Sequence, residues 1–138
     1  MKIIALKGAN STGKSTTLNL VYDALMCTSG NKSTPKKTLG NAIHRDFECT
    51  VTQTNGTKIG FYTMGDYSGH TLKAIDTFQQ LNVDILVLAT NAKFKKPTLR
   101  IGMFPGSHIL QKSVAHPKNK ASNIAENQKD CSAVIALL

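Results

Sequence analysis

Gly8-Ala9-Asn10-Ser11-Thr12-Gly13-Lys14-Ser15 decides how the rest of this chain is read. The stretch has the spacing G-x-x-x-x-G-K-[ST] and stands between two different periodicities. Before it, Lys2-Ile3-Ile4-Ala5-Leu6-Lys7 is a short apolar run suited to a central buried strand. After it, Leu18, Val21, Tyr22 and Leu25 recur at helical spacing over Thr16–Cys27. Gly8 and Gly13 can take backbone angles closed to other residues, so successive N–H groups can converge on one concavity. The first turn of the following helix adds unpaired donors and the positive end of its dipole. The natural occupant of such a place is an anion.

With its flanks, this segment resembles the opening of the P-loop NTPase superfamily over residues 1–27, with a complete Walker A motif. The resemblance implies that Gly8, Ala9, Asn10, Ser11, Thr12, Gly13, Lys14, Ser15 and Thr16 hold the phosphates of a nucleoside triphosphate. It further implies that Lys14 reaches the β- and γ-phosphates and that the Ser15 hydroxyl ligates Mg²⁺. Fold-level analogy does not choose among kinase, ATPase and GTPase.

A chain of 138 residues is one domain, 1–138, long enough to bury a core but short for a separate lid or substrate domain. No apolar stretch reaches the ~20 residues of a membrane span, and no leader precedes the first strand. Cys27, Cys49 and Cys131 are odd in number and lack metal-ligand spacing, which reads as buried thiols in a reducing, cytoplasmic setting. The formal charge is +9, and only two of the seventeen basic residues are arginines, Arg45 and Arg100. No acidic residue occurs between Asp23 and Asp46 or between Asp84 and Glu126. The basic segments 30–45 and 93–120 therefore suit a phosphate-rich ligand, an acidic partner or nucleic acid; the plainer reading is a solvated lysine surface. Scarce arginine argues against specific base readout.

Along the chain, Ser29–Gly40 reads as a flexible loop. Phe47–Thr54 and Thr57–Met64 flank Asn55-Gly56, a hairpin signal that sets Thr52 opposite Ile59 and Cys49 opposite Tyr62. His70–Leu81 is expected to be helical, with Leu72, Ile75, Phe78 and Gln79 along one side. Asp84–Ala89 has the continuous apolar character of a parallel strand buried on both faces. Asn91–Gly106 reads as basic and irregular, broken by Pro97 and Pro105, and His108–Ala115 as a weaker last strand. Beyond Pro117 a closing helix carries Ile124, Cys131, Val134, Ile135 and Leu138, with 133–138 open to either helix or strand. The fold class is α/β: a three-layer P-loop NTPase-like sandwich, mostly parallel with one antiparallel hairpin strand. Setting the first strand between the second hairpin arm and the 84–89 strand gives an order that resembles the small GTPase-like branch.

Ligands in such sheets gather at the C-terminal ends of the strands, and that rule sorts the acids. Asp66 follows an apolar strand and resembles the Walker B aspartate that positions Mg²⁺; Asp84 precedes its strand and belongs at the opposite edge. Asp66-Tyr67-Ser68-Gly69-His70 is similar to the D-x-x-G motif of GTPases, and its histidine to the water-orienting residue of translational GTPases. Against that stands His70 as an ordinary surface residue at a helix start. Guanine recognition by N/T-K-x-D has no counterpart, since Thr90-Asn91-Ala92-Lys93 and Ala115-His116-Pro117-Lys118 lack the aspartate. ATP is thus the default nucleotide, with GTP the alternative. Lys14, Asp66 and His70 are the catalytic candidates, and Ser15 and Asp66 the metal candidates. Hydrolysis of the triphosphate ranks first; phosphoryl transfer to a small molecule and a nucleotide-dependent binding module follow.

Overall fold

The computed structural model describes residues 1–116 and 118–138. Among these residues the chain is α/β, with a mixed sheet of seven strands and four helices. β1 (Lys2–Gly8) leads through the glycine loop into α1 (Lys14–Met26). Two short strands, β2 (Lys32–Ser33) and β3 (Lys37–Thr38), precede the hairpin of β4 (Phe47–Thr52) and β5 (Lys58–Tyr62). Then come α2 (Ser68–Gln80), β6 (Ile85–Asn91), α3 (Lys95–Gly102), β7 (His108–Gln111) and α4 (Lys120–Ile135). Pro117, which the sequence sets between the last strand and the closing helix, lies outside the described residues.

The strand order is β2-β4-β5-β6-β1-β7, with β3 also on β4. This corrects the order read from the sequence: β6 lies between β5 and β1, with Ile59 beside Ile85 and Ile3 beside Leu86. Consecutive strands joined by one crossover usually pack side by side, and α2 carries β5 directly to β6. All seven residues of β6 are buried, a pattern that needs a strand on each side and helices on each face. Side chains alternate accordingly. Ile4, Leu6, Phe61 and Val87 pack beneath α1 and α4 with Leu18, Val21 and Val134. Ile3, Ala5, Leu86 and Leu88 pack with Ile75 and Phe78 of α2 and Ile101 of α3. Gly60 lets α2 settle onto the sheet, since a Cβ there would stand 2.5 Å from the Phe78 ring.

The hairpin forms at the expected place but one residue out of the expected register. Cys49 pairs with Phe61 and Val51 with Ile59, while Gln53 N–H donates to Thr57 at 2.9 Å. Thr54-Asn55-Gly56 is therefore a three-residue loop with Gly56 at φ 86°, the arrangement of a type I turn closed by a glycine bulge. The gain is apolar pairing: the buried Cys49 and Val51 face the buried Phe61 and Ile59, where the two-residue turn would set Thr52 against Ile59.

Further expectations are corrected. Ser29–Gly40 is not simply a loop, because β2 and β3 form an edge strand on β4 interrupted at Thr34-Pro35-Lys36. Proline is tolerated at such an edge, where its missing N–H costs no ladder bond. Asn91–Gly106 contains α3, with Pro97 in the first helical turn, whose N–H groups have no intrahelical partner in any case. The C-terminal segment is helical to Ile135, and Ile124 and Ile135 are exposed while Cys131 and Val134 face α1. On α2, Gln79 points to solvent, and Thr71 and Ala74 join Ile75 and Phe78 on the buried side. Cys27 is exposed, whereas Cys49 and Cys131 are buried free thiols. Among the described residues no helix is long and apolar enough to cross a membrane.

Candidate functional site

The glycine loop leaves β1 at the edge where the parallel strands end. Two positive backbone angles, Ser11 at φ 56° and Gly13 at φ 89°, fold it over the start of α1. Gly8 and Gly13 are fixed by close neighbours: a Cβ on Gly8 would lie 2.8 Å from Lys112 Cβ, and one on Gly13 2.7 Å from Asn127 Oδ1. Thr12 Oγ1 donates to the Ala9 carbonyl at 2.8 Å, and Asn91 Nδ2, at the end of β6, donates to Asn10 Oδ1 at 2.7 Å. Gly13 at the N-cap offers no side-chain acceptor, and no acidic residue occupies the first turn of α1. The amides of that turn are thus open to an incoming anion.

Lys14 is buried, and its Nζ donates to the carbonyls of Gly8 at 3.0 Å and Ala9 at 2.7 Å. Burial pulls its ammonium below the ordinary lysine range; Asp66 and then Asp46 oppose that pull, and Lys112 adds to it. A cavity of about 370 Å³ opens over the loop, walled by residues 10–16 and by His44, Asp46, Thr63, Gly65 and Asp66. Lys14, Ser15 and Asp66 are thus brought to one place. His70 is not: it is exposed on the first turn of α2, its ring 5.1 Å from that of Tyr67, and it is not part of the cavity wall.

The residue that sequence reasoning missed is Asp46. It precedes β4, and because β4 runs antiparallel to β5 its first residue stands at the same sheet edge as the last residue of β5. The hairpin signal contained this information, but the acids were sorted only by strands ending at that edge. Asp46 is 6% exposed. Its Oδ1 accepts from Ser15 Oγ and, at 3.0 Å, from Thr63 Oγ1, which itself accepts from Phe47 N–H at 2.9 Å. Oδ2 accepts no hydrogen bond from the described residues. Asp66 is exposed, lines the same cavity and accepts no side-chain hydrogen bond among the described residues. Gly65 brings it there, passing so close to β6 that a Cβ would lie 2.9 Å from the Ala89 carbonyl carbon.

No family model, curated protein or solved structure matches this chain.

The site's chemistry therefore rests on its own groups. Ser15 donates its proton to Asp46, which turns the oxygen's lone pairs outward; with the Asp66 carboxylate it offers hard oxygen donors of the kind Mg²⁺ takes. A second cavity, about 260 Å³, shares Ser11, Thr12, Gly13 and Thr16 with the first and extends to Ser113, Ala115, Asn123 and Asn127. The two cavities thus meet over the loop. Behind it, Lys112 Nζ and Asp130 Oδ2 form a buried ion pair at 2.8 Å, and Ser113 N–H and Oγ each donate to Asp130 at 2.8 Å. Burial alone would raise the Asp130 carboxyl, but the bonds from Lys112 and Ser113 outweigh it and hold the group below the ordinary carboxylate range.

Of the basic residues, Lys93, Lys95 and Lys96 are exposed around the start of α3. Arg100 is turned toward α2, 3.1 Å from Asp76 and 3.3 Å from Gln79 Oε1. It does not line the cavity over the glycine loop.

Proposed function

We propose that this chain is a small P-loop NTPase that binds a Mg²⁺–nucleoside triphosphate and hydrolyses its terminal phosphate. The observation that carries the reading is the convergence of Lys14, Ser15, Asp46 and Asp66 on one cavity over an uncapped helix start. In this reading the sheet and its helices are the P-loop NTPase-like sandwich. The triphosphate lies across the glycine loop, its terminal end beside Asp46 and Asp66 and its nucleoside end in the cavity toward α4.

Lys14 exchanges the Gly8 and Ala9 carbonyls for phosphate oxygens, and the amides of Gly13 to Ser15 cradle the bridging region. Ser15 and Asp66 hold the Mg²⁺, directly or through water, and Asp46 keeps the Ser15 hydroxyl in the orientation that binding needs. When bound, the ion neutralises charge that builds on the leaving phosphate. The protein's own part is positioning and electrostatic stabilisation, because phosphoryl transfer asks little covalent chemistry of it. ATP is the proposed nucleotide. Two observations support ATP over the GTPase-like reading: β6 lies between β5 and β1, unlike the order expected of that branch, and His70 is not among the residues lining the cavity.

Titration of ATP and GTP, with and without Mg²⁺, tests the reading on native protein and on Lys14→Ala and Asp66→Ala. Loss of triphosphate binding in the first variant and of metal dependence in the second is the expected result. Unchanged nucleotide binding in Lys14→Ala overturns it. The exposed lysines near α3 also permit a nucleic-acid or acidic partner; a flat log–log dependence of that affinity on salt would remove it.

A further inference from the structure

Asp46 borders two cavities. Besides the cavity over the glycine loop, it lines a pocket of about 190 Å³ with Asn19, Lys36, Thr38, Arg45 and Phe47. Lys36 and Arg45 are among the residues that line it, and neither has a carboxylate within ion-pair distance among the described residues. Lys36 is held in place: its Nζ donates to Asn19 Oδ1 at 2.9 Å and sits 4.2 Å and 4.3 Å from the ring centres of Tyr22 and Phe47. Arg45 is set by its backbone, in the left-handed region at φ 59°, a conformation uncommon for a bulky residue. Asn19 Nδ2 fixes it there by donating to the Arg45 carbonyl at 3.0 Å and to the Ser15 carbonyl at 2.9 Å. One buried carboxamide of α1 thus ties the pocket to the helix that begins at the glycine loop.

Two uncompensated cations and a threonine hydroxyl around so small a space suit an oxyanion. The adjoining carboxylate would repel that anion unless the anion sits on the cations and turns a different group toward Asp46. A hydroxyl is such a group, because Asp46 Oδ2 is the oxygen that the protein leaves unbonded. We infer that this pocket binds a small hydroxylated acceptor by its phosphate or carboxylate group, with its hydroxyl beside Asp46 and facing the terminal phosphate of the nucleotide. This rests on the nucleotide reading above and adds to water a second acceptor for the same terminal phosphate.

The step balances. The acceptor oxygen forms a bond to the γ-phosphorus, and the bond from that phosphorus to the β,γ-bridging oxygen breaks. Its electron pair leaves with ADP, and the proton lost by the hydroxyl leaves to solvent. Asp46 touches the reacting hydroxyl; Lys36 and Arg45 position the acceptor.

The test uses full-length protein saturated with Mg²⁺–ADP, so that the glycine loop is occupied, and inorganic sulfate as the probe of the second pocket. Native protein should bind sulfate, Arg45→Gln should bind it about tenfold less tightly or worse, and Arg45→Lys should recover part of the loss. Arg45 is exposed, glutamine meets the same backbone demand, and Mg²⁺–ADP affinity should be alike in all three proteins. In parallel, γ-labelled ATP is incubated with one pool of hydroxylated phosphate monoesters and one of hydroxycarboxylates. Label appearing on members of either pool supports the inference and tells which anion the cations hold. Failure to bind Mg²⁺–ADP at all would overturn the nucleotide reading and this inference together. Normal Mg²⁺–ADP binding with sulfate affinity equal in native and Arg45→Gln protein overturns the pocket alone. Label released only as inorganic phosphate with both pools overturns the acceptor assignment.

Discussion

Removing the Asp130 side chain should be the most damaging single change behind the glycine loop. Its carboxylate accepts three bonds at 2.8 Å, from Lys112 Nζ, Ser113 N–H and Ser113 Oγ. In Asp130→Ala the Lys112 side chain, 1% exposed, keeps only the Ser113 carbonyl. Breaking a buried pair from one side costs about 3–5 kcal/mol, because the remaining charge is stranded. With an unfolding entropy of about 2 cal/mol/K per residue, a chain of this length loses roughly 3–4 °C of Tm per kcal/mol. The expected fall is thus about 10–17 °C, read by thermal unfolding at neutral pH. Lys112→Met combined with Asp130→Leu should recover most of it, since an apolar replacement of both partners strands nothing. The pH dependence has a definite sign. The folded carboxyl is held below its unfolded value, so its stabilisation is complete above the ordinary carboxylate pKa and is lost as pH falls through the lowered one. Asp130→Asn should flatten that acid limb. A Tm for Asp130→Ala within a few degrees of native, or a double variant no better than the single, would refute the reasoning.

Lys14→Ala should weaken triphosphate binding by about 10–150-fold, the range for losing a charge-assisted bond of about 1.5–3 kcal/mol, as read with a fluorescent nucleotide. Burial lowers the Lys14 pKa, so native affinity should begin to fall with rising pH below the ordinary lysine range, and Lys14→Arg should remove that fall. An alkaline limb that persists in Lys14→Arg belongs to some other group. Asp66→Ala should leave nucleotide binding largely intact in the absence of metal while removing its enhancement by Mg²⁺, which calorimetry with and without the ion distinguishes. Gly60→Ala should cost about 1–3 kcal/mol in urea unfolding, because its Cβ would meet the Phe78 ring at 2.5 Å and α2 must shift.

What could be read in the sequence was whatever local chemistry decides. The apolar run ending in Gly8 and the helical spacing after Ser15 are complete within residues 1–27, and both elements stand where that pattern sets them. β6 was legible for the same reason, as an unbroken apolar segment that is buried at every position. The misses are choices between pairings that local pattern leaves nearly equal. Asn55-Gly56 marks a turn, yet whether two or three residues close it depends on which register buries Cys49 against Phe61. Pro97 looked like a break because a proline in mid-helix is one, whereas in a first turn it is not. The position of β6 between β5 and β1 is a packing result that neither strand's sequence contains.

The candidate site divides along the same line. Lys14 and Ser15 are named by spacing, and Asp66 by following a strand. Asp46 becomes visible only when the hairpin is followed through to its geometric consequence: an antiparallel arm brings its beginning, not its end, to the edge where ligands gather. That correction changes the chemistry under consideration. With Asp66 alone the cavity has an exposed carboxylate and no candidate base. With Asp46 it has a buried carboxylate that directs Ser15 through one oxygen and borders a pocket lined by Lys36 and Arg45, two cations with no carboxylate in ion-pair distance among the described residues. A site built only to hold a metal has no use for those cations; a site that must also hold a second, anionic reactant does.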